Sequence, residues 1–589
     1  MEDWRAVGNR AAGDADGSFM SEAAGPVLIL GGTVYTCDAA DAVAQGILIE
    51  GGRVRAVGSA EDLHALAPRG TRTLDVGGAA IFPGLIDTHP HLLHFGSLQE
   101  PLVDILDARN HDDIVARIAE RTEHTPAGAW IMTTPVGEPH YFIRRSARDL
   151  AEGELPTRAV LDRAAPHHPV VIQAWAPTLP ATIAFNSLAL DRLGLTRETP
   201  ERVSNVLIEK DASGEPTGRL HGSVTNYYNN DPFANALWLK IPFLQYEYLV
   251  PGTRRAISAY HRLGVTAVYE NHMMDRKLID AYRRLRRDDE LRLRVLASQE
   301  AESYGMPWSR PRAMPDFMAR LEDAARSIEL QDQWFRFNGV TIMWDGTCFP
   351  GGMMMREPYL GPDGNETCGY FHITPEKAER VMRFCAERRL RLNTMCMGTK
   401  AHEENLARLE ALAETHDLRS LHWLLVHAVF IEPEQVRRYA RLNMDLTTSM
   451  SFCWGKGELF RRRMRNPPLG DLLPLRRFFD AGLAVAGATD WGPKNPFEQI
   501  ELALTHEFAG SGYRNLGPDQ KITRREAIAM WTRGAARVLR WDGIGSLQPG
   551  AHADLVVVDR DLMTCEIGEI GAARALLTLV GGEPVHGEI

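Results

Sequence analysis

The sequence predicts an α/β fold: a (β/α)8 TIM-type barrel, a small β-sandwich domain built from both chain ends, and an insertion after the first barrel strand. Three observations predict it. The middle of the chain alternates short apolar runs with amphipathic helical patterns, as βα units around a parallel sheet do. Eight such runs follow one another there. The two ends share a β-rich texture that the middle lacks. At 589 residues the chain exceeds one small core, so two or three units are expected.

Residues 1–26 are small, polar and Gly/Ala-rich, lack the continuous apolar core of a secretory signal, and are expected to be a disordered tail. Residues 27–80 open with "VLILGGTVYT" and "GILIEGGRVRAVG", whose Gly51-Gly52 suits a tight hairpin turn. Residues 541–589 repeat that texture in "GSLQPGAHADLVVVDRD" and "ALLTLVGGEPVHGEI", so the two segments are assigned to one sandwich. The barrel is assigned to 81–540. Its candidate strands are "AIFPGLIDTH", "GVTAVYE", "LRLRVLASQ", "RFNGVTIMW", "LRLNTMCM", "HWLLVHA", "NMDLTTS" and "LAVAGATD". Between them, Thr374 and Pro375 read as an N-cap and first helical residue, and Thr523 with Glu526 as a capping box opening a helix through "AIAMWTRGAARVL". Residues 97–262 are too long for one crossover and are assigned to the insertion.

Composition narrows the function. With 44% hydrophobic and 24% charged residues the chain is ordinary globular protein, and its formal charge of −11 is spread without a basic stripe for nucleic acid. No apolar run reaches the length of a membrane span. Seven dispersed cysteines without a CxxC pair read as reduced thiols, and a cytoplasmic location is expected. There is no GxSxG elbow, no P-loop and no dinucleotide fingerprint.

The chemistry concentrates in "FPGLIDTHPHLLHFG". Residues two apart on a strand share a face, so His89 and His91 can present both imidazoles to one ion. Asp490 closes the eighth candidate strand and His427 lies near the end of the sixth. Strand C-termini gather at one rim of such a barrel, so all four can converge. Two histidines and a carboxylate are common zinc or iron ligands, and Asp490 can also accept a proton from water.

Together "FPGLIDTHPH", "LVHA", "GATDWGPKNPF" and "GSLQPGAHADLVVVDRD" resemble the amidohydrolase superfamily, in particular its formamide-deformylase and N-acyl-hydrolase-like branch, from about Val27 to the C-terminus. The resemblance implies that His89, His91 and Asp490 bind a metal and that His427 binds a second metal or the substrate. It also implies a carboxylated lysine on the fourth strand, where this chain has Thr341, and a histidine on the fifth, where it has Met395. In the insertion, Ala181 stands where the branch often has a histidine. These departures lead to an expectation of one divalent ion rather than two, held by His89, His91 and Asp490 with His427 as a fourth ligand or polarising the substrate; zinc comes first, with iron or manganese as alternatives.

Glu270 and His272, ending the second strand, are candidate substitute ligands; a rim salt bridge and a surface histidine are the plain alternatives. Cys396 should point away from the barrel interior. Asp345 and Gly346 match a motif of the branch and are candidates for the pocket or for a loop turn. The loops "CFPGGMMM" and "MSFCWGKG" and Trp491 are unusually apolar, so Met353, Met354, Met355, Phe452, Trp454 and Trp491 suggest a greasy pocket or packing against the insertion. Lys456 offers a cation for an anionic group on a substrate. Glu138 and Tyr141 are candidates to line the pocket from the insertion, while His94, His111, His124 and His140 read as solvated or core histidines.

The expected function is metal-dependent hydrolysis of a non-peptide carbon–nitrogen bond, in an amide, formamide or cyclic amide of a hydrophobic small molecule, with Asp490 and His427 catalytic. Two alternatives stay open: a site turned to lyase, isomerase or decarboxylase chemistry, and a non-catalytic binding relic. The expected partners are a small-molecule substrate and further copies of the chain, as a homodimer or higher homo-oligomer.

Overall fold

The computed structural model describes residues 25–92, 102–137, 145–174, 181–226, 229, 231–242, 246–272, 274, 276–302, 309, 311–328, 331–348, 351–362 and 364–588. The tail through residue 24 and His94, Glu138, His140 and Tyr141 lie outside them.

Eight parallel strands form one sheet in chain order: β1 (Leu85–Asp87), β2 (Val265–Glu270), β3 (Arg294–Glu300), β4 (Phe335–Met343), β5 (Arg391–Cys396), β6 (Leu424–His427), β7 (Asp445–Thr448) and β8 (Val485–Gly487). Thr88 closes the barrel. Its N–H and its hydroxyl donate to the Gly487 carbonyl at 3.2 and 2.8 Å. The strands read as apolar runs because helices cover their outer faces and side chains fill the interior. Part of that filling is polar. The Tyr269 hydroxyl donates to Asn393 Oδ1 at 2.8 Å, Asn393 Nδ2 donates to Thr341 Oγ1 at 3.0 Å, and Thr341 pairs with the Ser298 hydroxyl at 2.7 Å.

The stretch read as a single first strand is two. Ala80–Pro83 pairs with Leu555–Val558 and with Thr33–Tyr35, inside a six-stranded sheet built from both chain ends. After Gly84 the chain enters β1. A Cβ at Gly84 would lie 2.3 Å from the Thr266 side chain, so the turn requires glycine. The boundary drawn at residue 81 thus falls inside a sandwich strand. A four-stranded sheet faces the six-stranded one, with Ile29, Ile47, Ile49, Ile81, Leu555, Val557 and Leu579 buried between them. Gly51 and Gly52 have φ of +58° and +74°, as the tight hairpin between Glu50 and Arg53 demands.

The inserted segment carries its own six-stranded sheet, including Ile131–Thr133, Val170–Ile172 and Ala181–Phe185. Both expected caps form: the Thr374 side chain accepts from Lys377 N–H, and Thr523 and Glu526 make the capping box. The second helix is not continuous. It breaks into Arg524–Ala529 and Arg533–Leu539, and the carbonyls of Met530 and Trp531 accept from Gly487 and Ile86 N–H at 2.8 Å each. The break supplies acceptors to both strands at the barrel seam. "MSFCWGKG", read as a loop, begins the helix Ser451–Arg463, and Gly457 lets the Phe508 ring pack against its backbone. All seven cysteines are unpaired thiols, and among the described residues no helix is long and apolar enough to cross a membrane.

Barrel and sandwich are joined by a buried ion pair. The Arg294 guanidinium meets both oxygens of Asp554, at 2.6 and 2.9 Å, and both side chains are almost fully buried. Removing one partner from such a pair strands a buried charge, at a cost of roughly 3–5 kcal/mol. Asp554→Ala is therefore expected to lower unfolding free energy by about that amount in urea titration. Glu50→Ala, which opens the exposed Glu50–Arg55 pair, should change it by less than about 1 kcal/mol.

Candidate metal centre

His89, His91 and Asp490 meet where β1 and β8 end, and one ligand atom from each lies within 4.8 Å of the others. His91 Nε2 is 3.2 Å and His89 Nε2 3.8 Å from Asp490 Oδ1. An ion with tetrahedral bonds of about 2.0–2.1 Å holds its ligand atoms roughly 3.4 Å apart, a spacing these distances bracket.

Strand alternation is not what aims the two imidazoles. The strand ends at Asp87, and His91 has φ of +48°, in the left-handed region. His427 (+76°) and Asp490 (+52°) share that conformation. Non-glycine residues reach it at a cost of order 1–3 kcal/mol, and they are held there by the backbone around them. Asp490 N–H donates to His89 O at 2.9 Å, and the Lys494 ammonium bonds the Pro90 carbonyl at 2.6 Å and also that of Asp490. Lys494 thus clamps the His-Pro-His turn to the aspartate. Burial pushes its pKa down to about 8.

The donor set suits a divalent cation. His89 Nδ1 is bonded to the Asn271 side-chain oxygen, so that nitrogen carries the proton and Nε2 presents its lone pair. That Nε2 is buried and has no hydrogen-bond partner among the described residues. Burial lowers the His89 pKa to about 4 and those of His91 and His427 well below their usual value. Burial acts to raise Asp490, but the hydrogen bond with His91 and the surrounding imidazoles hold it well below the usual carboxylate range. Neutral imidazoles beside an ionised carboxylate are ligands that need not first shed protons.

His427 and His272 flank this compact set. The His427 ring centroid is 4.8 Å from that of His89, and His272 is 5.5 Å from His89 and 5.1 Å from His91. His272 Nδ1 is held by Glu300 Oε1 at 2.5 Å, an arrangement in which a carboxylate fixes the tautomer and turns Nε2 outward. Glu270 is placed differently: buried, it accepts the Tyr282 hydroxyl at 2.6 Å. Thr341, at the lysine position of the resemblance, is engaged by Ser298 and Asn393, and Met395 is fully buried. Cys396 sits against Tyr439, on the helix side of its strand.

A cavity opens at the site, with His272, His427, Asp490, Thr347 and Lys456 as its polar lining and Met343, Met397, Cys348, Phe452 and Trp491 as its apolar lining. Trp491 stacks on His91 at 4.7 Å, and Phe452 meets His427 edge-on at 4.8 Å. Asp345, Met353 and Trp454 are buried but are not among these lining residues. Asp345 instead accepts the backbone N–H groups of Met354, Met397 and Gly398, which ties the loop after β4 to the end of β5. His111 starts the helix His111–Thr122, and its Nε2 bonds the Glu154 carbonyl at 2.8 Å. Asn271, Glu300 and Lys494 escaped the sequence reading. Asn271 sits between two residues that it singled out, and Lys494 lies four after Asp490, yet neither spacing signals a supporting role.

Comparison with known proteins places these residues in a family context. The model described as "Amidohydrolase family" matches residues 72–586. N-substituted formamide deformylase of Arthrobacter pascens is 28% identical over 94% of this chain and 97% of its own length. The putative amidohydrolase YtcJ of Bacillus subtilis (strain 168) is 24% identical over 94% and 98%. An uncharacterized metal-dependent hydrolase from Pyrococcus horikoshii OT3 superposes with a TM-score of 0.69 at 21% identity, covering 92% of this chain and 99% of that one.

The buried histidines set a pH dependence. Folded, His89 binds a proton only near pH 4, and His402 and His506 only near pH 3, against 6.5 for each when solvated. Between pH 6.5 and about 4 the unfolded chain therefore binds more protons than the folded one, and stability rises with pH. The metal-free protein is expected to keep its thermal midpoint above pH 6.5 and to lose it steadily as pH falls towards 4. A midpoint unchanged across that window would contradict neutral, buried imidazoles.

Proposed function

The chain belongs to the amidohydrolase family, and from that premise we propose a metal-dependent hydrolase that cleaves a carbon–nitrogen bond in an amide, formamide or cyclic amide of a hydrophobic small molecule. The observation that carries this reading is the buried His89–His91–Asp490 cluster at the barrel rim, beside an apolar-walled cavity. The full-length likeness to a protein named N-substituted formamide deformylase supports the class of bond.

His89, His91 and Asp490 would hold one divalent ion, zinc in first place, with His272 as an added donor oriented by Glu300. Such an ion supplies Lewis acidity towards a carbonyl oxygen and lowers the pKa of a water to roughly 7. The chain's own groups do the rest. Asp490 accepts the proton of the attacking water and returns it to the departing nitrogen, which must leave as an amine. Neutral His427 offers a ring N–H to the oxygen on which negative charge develops. Asn271 fixes the tautomer of His89, and Lys494 holds the His-Pro-His turn against Asp490. Trp491, Phe452, Met343 and Met397 keep bulk water from the site and pack an apolar substituent.

Purified protein is expected to hold about one equivalent of divalent metal, and a chelator should abolish hydrolysis of N-formyl and N-acetyl amines until metal is restored. His89→Ala and Asp490→Ala should each lower kcat/KM by about a thousandfold or more, with metal content below about a tenth of an equivalent for His89→Ala. Turnover retained in either variant removes the assignment. His272→Ala should weaken metal affinity by about 10–100-fold, read by competition with a chromogenic chelator.

A further inference from the structure

We propose that Lys456 recognises a carboxylate on the substrate, so that the molecule cleaved is an N-acylated amine bearing an acidic group, of the N-acyl amino acid kind; the inference rests on the reading of the site as an amide hydrolase. Lys456 lies on the helix Ser451–Arg463, one turn after Phe452, so both side chains leave the same face. Its ammonium stands 4.1 Å over the Phe452 ring, and the residue is 6% exposed. It lines the cavity together with His427, Asp490 and Trp491.

Among the described residues no hydrogen bond or ion pair reaches this ammonium. Two half-buried lysines differ. Lys377 Nζ lies 2.6 and 2.9 Å from the two oxygens of Glu302, and Lys494 bonds two carbonyls. The contact with the Phe452 ring engages the charge but offers no oxygen or nitrogen acceptor to the three N–H donors of the ammonium. The carboxylate that lines the cavity, Asp490, is engaged by His91. The ammonium therefore meets its remaining donors' needs from whatever fills the cavity, and a negatively charged acceptor meets them best.

The surroundings select a carboxylate. A phosphate dianion is normally met by several donors or by an arginine fork, and here a single point charge sits among apolar walls of Met343, Met397, Phe452 and Trp491. A monoanion on an otherwise apolar molecule matches that lining, with its amide carbonyl turned to the histidine cluster.

The test compares two amides that differ only in the acid, N-formylphenylalanine and N-formylphenethylamine. A charge-assisted hydrogen bond predicts a kcat/KM ratio of about 10–150 in favour of the acid. In Lys456→Met the ratio should fall towards one, mainly through KM, and Lys456→Arg should restore part of it. Binding of 3-phenylpropionate, which has no bond to cleave, is read by calorimetry on the metal-loaded protein, and Lys456→Met should weaken it at least about tenfold. Thermal melts confirm that each variant folds, with Lys456→Gln as the replacement should Met fail. A ratio near one in the parent protein, or a ratio or a phenylpropionate affinity that survives loss of Lys456, overturns the proposal. Absence of any amide hydrolysis alongside Lys456-dependent phenylpropionate binding overturns the hydrolase reading and leaves the acid-binding subsite standing.

Discussion

The carboxylate of Asp87 holds the rim together. Fully buried at the end of β1, it accepts from His89 N–H and Thr489 N–H at 3.1 Å each, from the Thr489 hydroxyl at 2.6 Å and from the Tyr260 hydroxyl at 3.3 Å. A buried charge is tolerated only when its lone pairs are occupied, and here four donors occupy them. Two of those donors come from the segment that carries the candidate histidines, or from the helix behind it, and two from the segment that carries Asp490. One side chain therefore ties the two segments together at the barrel seam and sets the candidate ligands against each other.

That seam explains how three unfavourable backbone conformations persist. His91, His427 and Asp490 all sit at positive φ, which L-residues avoid. Each is anchored beside its strand: His91 by the clamp on Pro90, His427 by the Thr448 hydroxyl on its carbonyl at 2.6 Å, and Asp490 by the bond to His89 O. At these three positions the left-handed backbone turns the side chain away from the direction a continuing strand would give it.

Much of this was legible in the sequence. The eight strands stood out because burial on both faces leaves nearly continuous apolar runs, and the caps at Thr374 and Thr523 stood out because they obey local chemistry. His89, His91, His427 and Asp490 were legible as strand-end residues, since parallel strands bring those ends to one rim. What escaped depends on contacts between distant segments. "MSFCWGKG" reads as a loop after β7, yet it forms a helix in which the bare backbone of Gly457 lets the Phe508 ring pack closely. The helix after Thr523 kept its periodicity through Thr532, and nothing local announced that carbonyls 530 and 531 are required by β8 and β1. Glu270 and His272 looked equivalent as substitutes. Tyr282 engages the first and Glu300 orients the second, which no spacing rule separates. The loss of lysine and histidine at Thr341 and Met395 was readable, but the network that absorbs Thr341 was not.

The seam also dictates when the site can exist. Asp87 and Thr489 are 402 residues apart, and the carbonyls of Met530 and Trp531 complete the hydrogen bonding of both seam strands. During synthesis the His-Pro-His segment leaves the ribosome hundreds of residues before its partners, and a contact of that span forms only after the intervening units have folded and shortened the loop. A nascent chain therefore presents the two histidines long before the carboxylate of the proposed ligand set reaches them. A chain that stops short of residue 530 carries the His-Pro-His motif without the carbonyls that complete the seam on which the candidate ligands rest.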